Sequence, residues 1–227
     1  MSNTDIVREV DEELRNEQYQ KLWEKYRTAI LVAAAAIVLI VAGYKGWQGY
    51  RASQAAAAGA QFDSATALLA AGKPADATKA LETIASSGPG AYATLANLRL
   101  AAQAAQDGKA ADAIGRYDAV ANNLAADATT RGYARIQSAG LKLDTTDFTS
   151  MQNQLNDLAT PDGIWRNSAR ELLGLSAYKA GKLTEADDYF AAILGDKDGR
   201  GALGQTAETM RELILAATAK PPSAKTN

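Results

Sequence analysis

Hydrophobic and polar positions divide the chain into three regimes. Residues 1–27 mix charged and apolar side chains, with Ile6, Val10 and Leu14 at four-residue steps and Val7 beside them. That spacing predicts a charged helix with a narrow apolar stripe, Asn3 or Thr4 placed to cap it and Asp5 and Glu9 favouring its N-terminal dipole. Thr28–Tyr44, TAILVAAAAIVLIVAGY, carries no charge and is bracketed by Arg27 and Lys45. From residue 52 onward, alanine-rich helical patterns alternate with short breaks, and no strand-like alternation of any length occurs. The expected fold is all-α. A helical head (1–27) leads into an apolar helix (28–44) and a short helical extension (45–54). A helical-repeat domain (55–218) and a disordered tail (219–227) follow.

Seventeen apolar residues rising about 1.5 Å each cover roughly 26 Å, enough for a thin hydrocarbon core. Thr28, Ile30, Leu31, Val32, Ile37, Val38, Leu39, Ile40, Val41 and Tyr44 are the candidate membrane anchor. Trp23 and Tyr26 before the run, and Trp47 and Tyr50 after it, suit the two headgroup regions. A buried core helix and a cleaved signal peptide are the alternatives. The first fits poorly with a uniformly apolar run between charges. The second fits poorly with an acidic n-region of 27 residues and with a small-residue run, Ala55–Ala58, well past the apolar one. Arg8, Arg15, Lys21, Lys25 and Arg27 precede the span, whereas only Lys45 and Arg51 follow within twenty residues. The excess predicts a cytoplasmic head and an exported C-terminal domain. Gly43, Gly46 and Gly49 recur every third residue at the outer end, either as a ridge for a neighbouring transmembrane helix or as part of a plain interfacial anchor.

Beyond the span the chain repeats. Gly72-Lys73-Pro74-Ala75-Asp76-Ala77, Gly108-Lys109-Ala110-Ala111-Asp112-Ala113 and Gly181-Lys182-Leu183-Thr184-Glu185-Ala186 align, the first two 36 residues apart and the third 73 further on. A missing copy should fall near residue 144, where LKLDTTDFTSMQNQL reads as a helix break followed by a helix with apolar Phe148, Met151 and Leu155. Each copy ends a helix at glycine and starts the next with an acid and an alanine. Four residues after that alanine stands Leu81, Tyr117 or Phe190. The alanine permits close helix approach and the bulky residue fills the space beyond it. Pro89 and Pro161 fall where one helix pair should give way to the next. About four helix pairs and a closing helix are expected.

Composition narrows the chemistry. The net charge is −2, and no histidine or cysteine is present. A basic nucleic-acid-binding surface is not implied. Disulfides, thiolate zinc sites, cysteine nucleophiles and histidine acid–base catalysis are excluded. The pairs Asp187-Asp188 and Asp196…Asp198 invite a metal or acid–base idea, but adjacent helical positions do not converge and GDKDGRG lacks the further ligands of a calcium loop. Neither a cofactor, a metal, a small-molecule substrate nor an enzymatic activity is expected.

Leu173-Gly174, Gly181, Ala186 and Phe190 resemble the tetratricopeptide repeat pattern. The earlier copies keep Gly72, Ala77, Leu81 and Pro89, and Leu100, Gly108, Ala113 and Tyr117, while the copy near 144 lacks the glycine and alanine. The period of about 36 departs from the family's 34. The whole layout resembles the YfgM-like family of bacterial inner-membrane proteins, and the head REVDEELRNEQYQKLWEKY resembles its alphaproteobacterial branch. The resemblance implies a single-pass inner-membrane protein with a periplasmic repeat domain. It also implies association with the SecYEG translocon and a membrane-anchored periplasmic chaperone, acting on newly exported clients.

The first helix of each repeat lines a concave face in such scaffolds. The family's facing positions give Leu95, Leu98, Arg99, Ala102, Ala105 and Gln106 in the second copy, and Ser168, Glu171, Leu172, Leu175, Tyr178 and Lys179 in the last. Leu95, Leu98, Arg99, Leu172, Leu175 and Tyr178 are the candidate partner groove, the leucines either packing under a neighbouring helix or lining a groove for an amphipathic or unfolded segment. The Lys and Asn pattern that clamps a terminal carboxylate is missing. Trp165, followed by Arg166 and Arg170, is either a packing anchor or a surface contact. Two functional readings stand: an anchored scaffold at the translocon, and an envelope scaffold for cell-wall or division proteins.

Overall fold

The computed structural model describes residues 3–219, with side chains described at 19, 20 and from Leu22 on. The apolar stripe expected at Ile6, Val10 and Leu14, the caps at Asn3 and Thr4, and residues 220–227 of the expected tail lie outside what is described. Nine α-helices and no strand are present among the described residues. They are α1 (Asn3–Ala70), α2 (Pro74–Ser87), α3 (Gly90–Gln106), α4 (Ala110–Ala121), α5 (Ala128–Lys142), α6 (Phe148–Leu155), α7 (Arg166–Lys179), α8 (Leu183–Leu194) and α9 (Ala202–Thr218). The chain divides into two compact units, Met1–Ala57 and Ala58–Asn227.

The first unit is helix throughout its described length. The expected head, span and extension are stretches of the single helix α1, which runs through Gly43, Gly46 and Gly49 without a break because no proline interrupts it. From Leu22 it contains a stretch long and apolar enough to cross a membrane, none of it buried. Ile30, Leu31, Val32 and Ile37–Val41 all lie open. Arg51 stacks on the Trp47 ring at 4.1 Å and Lys25 stands 5.5 Å from the Tyr26 ring. In both, a cation is held beside the π-face of a border aromatic.

In the second unit each helix from α2 to α9 packs on the next, most extensively α7 with α8, α3 with α4, α4 with α5, α2 with α3 and α8 with α9, and Phe62 and Ala65 in the last turns of α1 join the cluster of α2 and α3. Three of the four pairs turn the same way. Gly72, Gly108 and Gly181 sit at φ of 71°, 74° and 73°, a left-handed conformation that glycine alone adopts without strain. Each glycine N–H and the next lysine N–H bond back into the ended helix: Gly72 to the Leu69 carbonyl at 3.1 Å and Lys73 to Leu68 at 2.9 Å, with Gly108/Lys109 and Gly181/Lys182 repeating the geometry. α6 starts differently. Its cap is Asp147, whose carboxylate accepts from Ser150 N at 3.0 Å and Ser150 Oγ at 2.7 Å. The degenerate copy expected near 144 therefore opens at 147, with an aspartate cap in place of the glycine turn.

The core of every pair rests on one juxtaposition. A small residue on the first helix faces a large one sixteen positions later on the second: Ala65 and Leu81, Ala101 and Tyr117, Ala139 and Leu155, Gly174 and Phe190. All eight are buried. Four residues before the large side chain stand Ala77, Ala113, Met151 and Ala186, each fully buried. Three residues after it, Ile84, Val120 and Ile193 continue the buried stripe of α2, α4 and α8. The third pair keeps the spacing with Met151 where its siblings have alanine. Its second helix is only 8 residues long, and Leu158 and Trp165 from the following turns pack against its cluster.

The small partner is matched to the large one. A Cβ on Gly174 would come within 2.8 Å of Phe190 Cζ and 3.0 Å of Cε1, and the fully buried ring has nowhere to swing. Leu155 and Tyr117 tolerate alanine opposite them. Phe190→Ala should remove about 3–5 kcal/mol of stability. Gly174→Ala and Phe190→Leu should each destabilise by roughly 1–2 kcal/mol. The double variant, which imports the Ala–Leu combination found at 139 and 155, should lose less than the sum, with a coupling of about 1 kcal/mol or more. Denaturant melts of the full chain in detergent test this; strict additivity would show that the ring does not select the glycine.

Candidate interaction surface

The first helices of the pairs carry the residues that face away from the second-helix stripe. Most of the predicted groove leucines are partly absorbed by the core. Leu98 is half-buried against Tyr117, Val120 and Ala134, and Leu172 against Ile136, Ala139 and Leu173. Leu175 and Tyr178 are half-buried against Phe148, Phe190 and Ile193. The four thus belong to three different clusters and do not converge on one patch. Leu95 is 45% exposed, and Arg99 is open to solvent.

Arg99 does help to form a cavity. With Gln103 and Gln106 it lines an open cleft of about 600 Å³ whose opposite side is Thr66, Leu69 and Ala70 of α1, closed at one end by Gly72 and Pro74. The repeat pattern predicts Arg99 and Gln106 on this face. It does not single out Thr66 and Leu69, although they lie one 36-residue period before Ala102 and Ala105 and occupy the same two positions of the first pair.

Three of the four acids in the candidate metal pairs, Asp187, Asp196 and Asp198, are engaged by arginines. Arg166 of α7 forms a bidentate pair with Asp196, its Nη2 2.7 Å from Oδ1 and its Nε on Oδ2, and also reaches Asp198 Oδ2 at 2.6 Å. Arg170 adds a third donor to Asp196 at 3.1 Å. Asp187 is held by Arg211 of α9 at 2.7 Å. These links tie α7 and α9 to α8 and its following turn, and the parallel N–H···O geometry gives orientation as well as attraction. The guanidinium of Arg166 holds the Asp196 carboxyl far below the usual carboxylate range, and the carboxylates raise Arg166 in turn. Arg135 likewise grips Asp157 at 2.7 and 2.6 Å and lowers it.

Trp165 is a packing residue with a polar handle. Its Nε1 donates to the Thr129 carbonyl at 3.0 Å and its ring lies 5.7 Å from that of Tyr133. Gly132 makes room for it, since a Cβ there would stand 2.5 Å from Trp165 Cδ1. A half-buried polar bridge joins α4 to α5: Ser138 Oγ donates to Asp118 Oδ1 at 2.6 Å and Lys142 Nζ to Asp118 Oδ2 at 2.7 Å. Glu171 has no cation beside it among the described residues. It is half-buried on α7, and burial pushes its carboxyl above the ordinary range, with a Thr206 hydrogen bond acting the other way.

A family profile for the tetratricopeptide repeat-like domain matches residues 20–210. The chain belongs to that family. No curated protein and no solved structure matches it. Tetratricopeptide repeat-like domains mediate protein–protein contacts and are generally non-catalytic, so the repeated helix pairs constitute an interaction scaffold. The matched stretch begins inside α1 and takes in the apolar run, so repeat unit and apolar helix are both within the family's span.

Two carboxylates should titrate stability in opposite directions. Asp196, depressed when folded, contributes stability that is present above the unfolded aspartate value of about 3.9 and is lost as pH falls below it. Asp196→Asn should therefore lower the melting temperature at pH 7, with the gap closing below about pH 4. Glu171, raised when folded, favours folding only when neutral. Its contribution is complete below about pH 4.3 and is lost as pH rises through its folded value. Glu171→Gln should raise the melting temperature at pH 7 and match the parent at acid pH. Parallel pH profiles for the two variants would refute the assignment.

Proposed function

We propose that the chain is a single-pass membrane-anchored scaffold. Its head is cytoplasmic, and its repeat domain, on the exported side of a bacterial inner membrane, assists newly exported proteins beside the SecYEG translocon together with a membrane-anchored periplasmic chaperone. The supporting observation is the combination of a tetratricopeptide repeat-like domain with an open apolar helix bordered by Trp23, Tyr26, Trp47 and Tyr50. The Lys and Arg excess before the apolar run supports the orientation. The layout's likeness to YfgM-like proteins supports the translocon.

Function on this reading is largely a matter of position. Tethering in the same membrane as the partners raises their effective concentration, so individually weak contacts suffice. The open side of Leu95 and the uncovered edges of Leu98 and Leu172 are apolar surface for a partner segment.

Crosslinking from the repeat domain of the full chain in its native membrane should yield adducts with translocon subunits and with nascent exported proteins. Adducts confined to cell-wall or division enzymes would sink the translocon reading in favour of an envelope scaffold. A reporter fused after residue 227 that works only outside the cytoplasm should be active; activity of a cytoplasm-only reporter would invert the orientation.

A further inference from the structure

Arginines of the repeat unit are nearly all committed. Arg116 meets Glu82 and Asp112, Arg131 donates to the Ala126 carbonyl, Arg135 grips Asp157, Arg166 and Arg170 hold Asp196, and Arg211 holds Asp187. Arg99 is the helical arginine of this unit with no hydrogen-bond or ion-pair partner among the described residues. It shares a face of α3 with Gln103 and Gln106, one and two turns on, and all three open into the cleft of about 600 Å³ described above. No aspartate or glutamate lines that cleft.

We propose that this cleft docks an acidic segment of a protein partner, an Asp or Glu side chain pairing with Arg99. The inference rests on the reading of the chain as an interaction scaffold and adds the chemistry of what it holds. A guanidinium presents a planar fork that matches a carboxylate with two parallel bonds, and it stays charged at any accessible pH. Gln103 already gives one N–H to Asp107 at 2.9 Å, which leaves its carbonyl oxygen and second N–H for a partner's backbone. Gln106, exposed at the rim, has both functions open. Leu69 and Ala70 offer an apolar wall for the stem of the incoming side chain. A basic segment would meet an unneutralised cation, and a purely apolar one would leave Arg99 without the partner that every other helical arginine of the unit has.

The test places a photoreactive benzophenone side chain at Gln106 in the full-length chain in its native membrane and maps each crosslinked segment by mass spectrometry. Mapped segments should contain Asp or Glu within a few residues of the adduct. Arg99→Glu should cut the yield about tenfold or more while leaving the thermal melt unchanged, since Arg99 contacts no partner within the unit. Arg200→Glu, the same charge reversal in the exposed turn before α9, should leave the yield intact. The proposal is overturned if Arg99→Glu has no effect, if both reversals act equally, or if the mapped segments are neutral or basic. Adducts from the Leu95 position but none from 106 would overturn it while the scaffold reading survives; no protein adduct from either position would end both.

Discussion

A large side chain on the second helix of each pair needs a small one opposite it on the first, and the rest of the repeat unit is arranged to keep the two in register. The pairs Ala65–Leu81, Ala101–Tyr117, Ala139–Leu155 and Gly174–Phe190 share one spacing of sixteen residues. A helix ending, a tight reversal and a second helix starting in the right phase are all contained in that interval. The left-handed glycines at 72, 108 and 181 fix the reversal. A reversal one residue longer would rotate the second helix by about 100° and take its large residue off the core face. The third pair shows that the contact outranks the turn. It dispenses with the glycine, caps α6 with Asp147, and still delivers Leu155 sixteen residues after Ala139.

This explains which parts of the fold were legible in the chain. A φ near +70° can be met cheaply only by glycine, so the turns print themselves as Gly72, Gly108 and Gly181, and the alanine and bulky residue behind each follow at fixed offsets. The small partners Ala65, Ala101 and Ala139 were not singled out, because alanine is so abundant here that one more carries no signal. Gly174 is legible as part of the Leu173-Gly174 pair of the tetratricopeptide pattern, and its reason is the Phe190 ring that a Cβ there would meet. The anchor run needed no packing argument at all, since an uncharged apolar run of that length stands out against any background.

The surface was less legible because its determinants are far apart along the chain. Arg166 finds Asp196 thirty residues away, and Arg211 finds Asp187 twenty-four residues away. From sequence the acids are bare pairs inviting a metal; in three dimensions Asp187, Asp196 and Asp198 each face a guanidinium. Position alone also ranks Leu98 and Leu172 beside Leu95, although the first two give up much of their surface to adjoining clusters. A solenoid of this kind has no sharp line between core and groove, because the same helix face that lines the concave side closes over the neighbouring pair.

That continuity matters for how such a scaffold binds. With Leu98, Leu172, Leu175 and Tyr178 half-buried in packing, Leu95 is the most open of the predicted groove's apolar side chains. The fold neutralises its charges with some consistency: Asp118 by Ser138 and Lys142, Asp157 by Arg135, Asp187 and Asp196 by arginines. Against that background Arg99 on the first pairs stands out as a helical arginine with no such partner among the described residues.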